Sequence, residues 1–391
     1  MTERKEQAYF AIYYAAVYGP VAVSLTFLPS WMRGTGASDS AIGILLALGA
    51  AQRLIANPIT SHYADTKGNR NGTLKTLCVA TCLCSFFYLF VSNPVELFLI
   101  YLLVNFFWSS VLPVGDSIVV LSIKRHSIDY GHARRWGSLS FLLLSLLLGQ
   151  WVALAGDAVV IPAIIAAYIA LLVVVWKLPA SGDRDAHEAR APIRKVMAHP
   201  AFAWLLGSAA VCQATHGVFY SFGTLNWLDH NVPPSLVGIL WAGGIASEIA
   251  VFSVIRTLPD FVRPSKLILI GCIAACARWG MLGARSDIFF AIVVQGLQGL
   301  SLGATQSGVA QFISRALPEG IASSATGLYA TVAVGLMQTG LVLVSGMWFD
   351  TIGGGIFLFA AAFAAIGSIC AFKLAKYDIS ERTRPVPQIA A

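Results

Sequence analysis

The chain has 391 residues, of which 57% are hydrophobic and only 12% charged, with a formal net charge of +7. Soluble proteins carry about 25% charged residues, so the composition excludes an ordinary soluble enzyme or binding module. The basic excess is spread over short loops between apolar runs, where it sets membrane orientation, and does not form a nucleic-acid patch.

Apolar runs of about twenty residues match the hydrocarbon core of a bilayer when helical. Helices are the only open structures that satisfy their backbone groups in lipid. The run 8–32 is too long for a signal-peptide core and lacks a small-residue cleavage site, so it reads as an uncleaved first span. Further spans are predicted at 40–61, 74–92, 96–123, 136–156 and 159–178. The polar stretch 179–200, with Pro179, Gly182, Asp183, Arg184, Asp185 and Glu188, then divides the chain. Six more spans follow at 201–228, 235–256, 266–285, 288–313, 323–347 and 354–376. The expected organisation is a six-helix bundle over 1–178, a cytoplasmic linker over 179–200 and a second six-helix bundle over 201–391.

With both termini in the cytoplasm, all but four of the 26 Lys and Arg residues fall in cytoplasmic segments. Arg33 and Arg285 lie in outer loops, and Arg53 and Arg278 lie inside spans. This asymmetry predicts a multi-pass protein of the bacterial inner-membrane type with cytoplasmic N- and C-termini.

The two halves resemble each other. At an offset of 195, Ser40 meets Ser235, Gly43 meets Gly238, Ile44 meets Ile239, Gly49 meets Gly244, and Asp65 meets Asp260 in the following loop. The cysteine pairs Cys78/Cys82 and Cys272/Cys276 recur at an offset of 194. Each pair shares a helix face and reads as small residues at a packing seam, not as a metal or disulfide site. The fold class is therefore an all-α membrane protein with twelve transmembrane helices in two six-helix pseudo-repeats, the architecture of the major facilitator fold.

Ionisable residues inside spans are costly in hydrocarbon and mark function. They are Arg53 in span two, Asp116 in span four, His216 in span seven, Glu248 in span eight and Arg278 in span nine. Arg53 and Glu248 occupy equivalent positions in the two repeats. A rise of ~1.5 Å per residue predicts that His216, Glu248 and Arg278 are the group that meets. Glu248 is the expected proton carrier, with His216 able to share the proton and Asp116 a candidate nearer the cytoplasm. The alternative for Glu248 is a permanent structural pair with Arg278. Arg53 and Arg278 are candidates to hold an anionic solute through paired hydrogen bonds. Gln213, His216, Gly217, Tyr220 and Trp227 share a face of span seven, and Asn105, Ser109, Leu112 and Asp116 share one of span four. Gln295, Gln298, Gly299, Gly303 and Gln306 form a stripe on span ten. These faces predict a hydrated pathway in which Gln213, Tyr220, Asn105, Trp241 and Gln298 contact the solute. Amide glue between helices, and core packing for the aromatic residues, are the alternatives. There is no phosphate-binding loop, metal motif or nucleophile elbow, so the chain reads as no enzyme, with no cofactor and no metal.

The loop Ser61-His62-Tyr63-Ala64-Asp65-Thr66-Lys67-Gly68-Asn69-Arg70 resembles the cytoplasmic motif of the major facilitator superfamily. Asp65, Gly68 and Arg70 match it, while Ser61, Thr66 and Asn69 depart from it. The resemblance implies gating roles for Asp65, Gly68 and Arg70, with Asp65 pairing to a basic residue at the end of span four such as Arg125. The segment Asp129-Tyr130-Gly131-His132-Ala133-Arg134-Arg135-Trp136-Gly137-Ser138 is similar to the loop opening span five in the phenylpropionate permease family. So are Asn105 and Asp116, the His216–Tyr220 region, Trp241 through Glu248, and Arg278-Trp279-Gly280. Glu248 and Arg278 also resemble the acid and arginine of lactose-type proton symporters. The resemblance implies a monomer that imports a small organic solute with protons, an aromatic carboxylate being suggested by the family name. Uptake of an uncharged sugar or nucleoside, and a non-transporting membrane sensor of the same fold, stand as alternatives. The expected partners are the solute, protons and the lipid bilayer, without nucleic acid.

Overall fold

The structure is a computed structural model that describes residues 3–125, 130–178, 193–257, 262–285, 287–317 and 319–380. The predicted linker falls largely outside these residues. The helices are α1 (Glu3–Thr26), α2 (Leu28–Gly34), α3 (Asp39–Lys67), α4 (Arg70–Ser85), α5 (Pro94–Trp108), α6 (Val111–Arg125), α7 (Tyr130–Ala155) and α8 (Val160–Trp176). They continue with α9 (Ile193–Met197), α10 (Pro200–Leu205), α11 (Val211–Asp229), α12 (Pro234–Thr257), α13 (Pro264–Ala284), α14 (Ile288–Gly296) and α15 (Thr305–Ala316). The last are α16 (Glu319–Ala330), α17 (Thr339–Ile352) and α18 (Ile356–Ser380). Wide π turns over Leu206–Ala210, Gly299–Ala304 and Thr331–Gln338 join α10 to α11, α14 to α15 and α16 to α17.

Twelve membrane rods result among the described residues. Ten stretches are long and apolar enough to cross a membrane, and the last, Ser324–Asp378, contains two rods that turn at Gly353–Gly355. The rod Pro200–Asp229 is not among the ten. It carries Gln213, Thr215, His216, Thr224 and Asn226, and packs all but the half-buried Gln213 inside the molecule. The fourth rod breaks between α5 and α6 at Ser109–Ser110. Pro113 lies four residues beyond Ser109, and its ring and missing N–H interrupt the helix there.

Two surfaces explain the rods' placement. On α18, Phe359, Phe363, Ile366, Ile369 and Phe372 are exposed at three- and four-residue steps, while Ala360, Ala364, Ala371 and Leu374 on the other side are buried. The exposed stripe suits lipid, and the small-residue stripe lets α18 lie close along α13. Cys272 of α13 belongs to this seam, fully buried with its Sγ 3.4 Å from where a Cβ on Gly367 would stand.

The halves meet along two long seams, α3 on α17 and α7 on α12. Both crossings are set by glycine at the end of the molecule away from the termini. A Cβ on Gly43 would stand 2.5 Å from Cα of Gly346, and one on Gly238 would stand 3.0 Å from Cα of Gly149. Gly43 and Gly238 are the residues that the internal repeat superimposes, so the pseudo-symmetry extends to the contacts between halves. The helix starts at that end repeat as well. Asn93 caps α5 by accepting from the Val95 and Glu96 amides, and Asp287 caps α14 by accepting from those of Phe289 and Phe290.

Candidate functional site

Arg278, about two-thirds of the way along α13, is completely buried. Its Nε donates to the Val294 carbonyl at 2.7 Å, and Nη1 donates to Ser301 Oγ at 3.0 Å. Nη2 donates to the side-chain oxygens of Gln295 at 2.9 Å and Gln298 at 2.7 Å. The rings of Phe219 and Trp279 lie 5.0 and 4.5 Å from the guanidinium carbon. A buried charge is costly unless it is paired or fully hydrogen-bonded. Here neutral oxygens and aromatic faces do that work, and no direct ion pair joins Arg278 to Glu248. Direct ion pairs do form elsewhere, where Arg33 meets Asp39 and Asp229.

The four acceptors come from one face of the tenth rod, and α12 shapes that face. The Ser247 hydroxyl donates to the Gln295 carbonyl at 3.0 Å and accepts from the Gly299 amide at 2.9 Å. It stands between a donor and an acceptor that would bond each other in a regular α-helix, and the wide turn Gly299–Ala304 begins there. The approach requires glycine, because a Cβ at 299 would lie 2.2 Å from the Ser247 carbonyl oxygen.

Glu248 follows Ser247 on α12 and is half-buried. Its Oε1 accepts from Gln298 Nε2 at 2.6 Å. Gln298 thus links Glu248 to Arg278. His216 joins from the other side. Its Nδ1 lies 3.0 Å from the Cys212 carbonyl and its Nε2 lies 3.0 Å from Ser301 Oγ. The carbonyl can only accept, which assigns the proton of the neutral ring to Nδ1 and leaves Nε2 as an acceptor facing the serine, whose single proton it shares with the Gln298 backbone carbonyl at 3.2 Å. His216, Ser301, Arg278, Gln298 and Glu248 form one continuous chain of hydrogen bonds.

Trp241 is buried, with its indole N–H donated to Thr224 Oγ1 at 2.9 Å. Its ring lies 5.1 Å from Phe219, 6.1 Å from Tyr220 and 6.3 Å from Phe141 on α7. It joins aromatic residues of both halves. Tyr220 and Gln213 are half-buried on α11, whereas Trp227 is fully buried.

In the first half the predicted residues separate. Asn105 donates to the Gly49 carbonyl at 2.7 Å and to Gln52 Oε1 at 2.9 Å, tying α5 to α3. Asp116 accepts from the Tyr14 hydroxyl at 2.6 Å. Arg134 lies over the rings of Tyr14 and Tyr18, at 5.6 and 5.2 Å. Arg53 is exposed on α3. On that helix Leu48, Ile55 and Ile59 form an exposed apolar side, Gly49 faces Tyr101 of α5, and Leu54 faces Gly335. At 100° per residue, Arg53 falls between the contacts to α5 and to the wide turn preceding α17, opposite the apolar side.

Gly68 adopts φ +59°, where glycine is favoured, and ends α3. Arg70 opens α4, which Asn69 caps by accepting from the Gly72 amide. The side chains of Asp65 and Arg125, the pair implied for gating, lie outside the described residues.

Sequence reasoning did not single out Ser247, Ser301, Tyr14 or Arg134 as site residues. The glutamine stripe on span ten was the one signal that pointed toward the Arg278 shell.

A profile of the MFS_1 like family matches residues 8–361. The chain belongs to this family of the major facilitator superfamily. The transporter is 25% identical over 359 residues to a probable 3-phenylpropionic acid transporter of Escherichia coli (strain K12), covering 89% of this chain and 93% of the relative. It is 26% identical over 387 residues to a maltose permease of Geobacillus stearothermophilus, covering 95% and 93%. Among solved structures, a point mutant of the nucleoside transporter NupG superimposes with a TM-score of 0.82 at 14% identity, covering 95% of this chain and 99% of that one. A bacterial homologue of the lysosomal transporter Spinster, in an inward-facing conformation, gives 0.73 at 13% identity, covering 98% and 99%. The chain is a multi-pass membrane transporter of the secondary type and is not an enzyme.

Proposed function

We propose that the transporter is a proton-coupled symporter for a small organic carboxylate, an aromatic one by its likeness to the phenylpropionic acid relative. It works by alternating access between a half ending near residue 178 and a half beginning near residue 201, with both termini in the cytoplasm of a bacterial cell. The observation that carries this reading is the half-buried Glu248, a membrane-embedded carboxylate linked to a cation only through an amide. Such a carboxylate is free to take up and release a proton, whereas one locked in a direct pair stays ionised. His216, one serine away from Arg278, senses the same cation. Asp116, held by Tyr14, is a half-buried acid of the first half.

Arg53 gives the solute its sign. It is an exposed guanidinium within a membrane rod, turned away from the apolar side of its helix. A carboxylate docking there gains two parallel charged hydrogen bonds. Tyr220 on the opposing half offers a half-buried aromatic surface to an aryl group, with Gln213 on the same helix. Arg278, with four of its five N–H groups already bonded, holds the proton site in shape and leaves the solute to Arg53.

A thermal-shift comparison of purified protein tests the solute class, since a ligand that binds only the folded state stabilises it. Saturating 3-phenylpropionate is expected to raise the unfolding temperature, and the Arg53→Gln variant is expected to lose that rise. Stabilisation by maltose with none by 3-phenylpropionate would replace the carboxylate reading with uptake of an uncharged sugar, which the maltose permease relative favours.

A further inference from the structure

Gln298 places one end of its amide on each of the two charged residues of the second half. Its Oε1 accepts from Arg278 Nη2 at 2.7 Å, and its Nε2 donates to Glu248 Oε1 at 2.6 Å. The amide cannot be turned over, because a guanidinium offers only donors and must face the carbonyl end. Glu248 is therefore always presented with a donor. A carboxylate accepts that bond through either oxygen. A carboxylic acid accepts it only through its carbonyl oxygen, and its own O–H finds no acceptor on Gln298.

The amide also stands where a direct ion pair would otherwise close. It passes on the polarity of Arg278 without allowing guanidinium and carboxylate to lock together. Gln295 provides the contrast. Its oxygen also accepts from Arg278, but its NH2 group donates to the Leu240 carbonyl at 2.8 Å and does not reach Glu248.

We propose that Gln298 is a positioning residue that sets how readily Glu248 releases its proton, by carrying the charge of Arg278 to the carboxylate through a single amide. This rests on the reading of Glu248 as the proton site. The other ionisable groups around that carboxylate are Arg278 from α13, Tyr220 and His216 from α11, and Tyr18 from α1, which lies within electrostatic reach of Tyr220. Arg134 of α7 lies over the Tyr18 ring at 5.2 Å; beyond it α7 from Gly137 to Ala155 has no ionisable side chain, and neither has the tenth rod from Ile288 to Ala304.

The experiment is the pH profile of gradient-driven 3-phenylpropionate uptake by the full chain in proteoliposomes, for the wild type, Gln298→Met, Gln298→Glu and Gln295→Met. Solute counterflow, which needs folded protein and no net proton movement, confirms that each variant is assembled. Gln298→Met removes the donor to Glu248 and is expected to move the alkaline limb of the profile upward by about one pH unit. Gln298→Glu keeps an acceptor on Arg278 but sets a second carboxylate against Glu248, so a shift at least as large is expected. It carries the test if the methionine variant does not assemble. Gln295→Met is expected to leave the limb where the wild type has it, whatever its effect on rate. Equal shifts in the Gln295 and Gln298 variants, or no shift in either Gln298 variant, overturn the proposal while the proton site stands. Uptake by the wild type that ignores the gradient overturns the proton reading itself.

Discussion

Arg33 and Asp229 form an ion pair that closes the end of the molecule away from the termini. Nη1 of Arg33 lies 2.5 Å from Oδ1 of Asp229, and Nη2 lies 3.2 Å from Oδ2. The same guanidinium grips Asp39 with two bonds of 2.7 Å. A second bridge lies beside it, where Asp350 of α17 accepts from the amides of Asp39 and Ser40 and from the Ser40 hydroxyl. Below both lie the glycine crossings of α3 with α17 and α7 with α12. With both termini in the cytoplasm, as proposed above, this is the outer face and the conformation is sealed outward.

Asp229→Asn is expected to loosen that seal modestly. Arg33 and Asp229 are 31% and 44% exposed, and exposed pairs are worth about 0.2–1 kcal/mol. Ile42 is fully buried beneath the seal. In a background without the native cysteines, an Ile42→Cys variant should react with an impermeant thiol reagent roughly two- to five-fold faster once Asp229→Asn is added. The difference should shrink in high salt, where exposed pairs are screened. An unchanged rate would remove Arg33–Asp229 from the gate.

Gly238→Leu is expected to act more strongly. A Cβ there would lie 2.4 Å from the Ser145 carbonyl oxygen and 3.0 Å from Cα of Gly149. Both are backbone atoms and cannot swing aside. Overpacking costs about 1–3 kcal/mol, enough to shift the sealed-to-open ratio by roughly five- to a hundred-fold. Uptake should fall while labelling at Ile42→Cys rises. A fall in uptake without a rise in labelling would point to misfolding.

The fold was legible because bilayer thickness imposes a length on every apolar run, and the internal repeat sets glycines in register. The superposition of Gly43 on Gly238 predicted equivalent helices, and the structure adds that both glycines make the same crossing. The meeting of His216, Glu248 and Arg278 was legible from depth along the spans. Their mode of meeting was not. It depends on Ser247 entering the backbone ladder of the tenth rod, a displacement that no periodicity shows. Arg33 read only as an outer-loop cation, since its partner across the seam lies 196 residues away and neither residue carries a local signal of the other. The break at Ser109–Ser110 was foreshadowed by Pro113, although the span was predicted as one continuous rod.

Arg278→Lys is expected to fail although the charge is kept. A lysine offers one ammonium in place of a planar fork, and cannot reach the Val294 carbonyl, both glutamine oxygens and Ser301 together. Each buried acceptor left unpaired costs about 1–3 kcal/mol. The variant should unfold several degrees below the wild type in a thermal melt, and should lose counterflow as well as net uptake. Wild-type stability with intact counterflow would show that the hydrogen-bonded shell around Arg278 is not needed.

The most direct test of the account compares 3-phenylpropionate uptake into proteoliposomes with and without an imposed proton gradient, for the wild type and Glu248→Gln. The wild type is expected to accumulate solute only with the gradient. Glu248→Gln is expected to lose accumulation while still exchanging solute across the membrane in counterflow. Wild-type accumulation that is the same in both conditions, or a Glu248→Gln variant that still follows the gradient, would contradict proton coupling at Glu248.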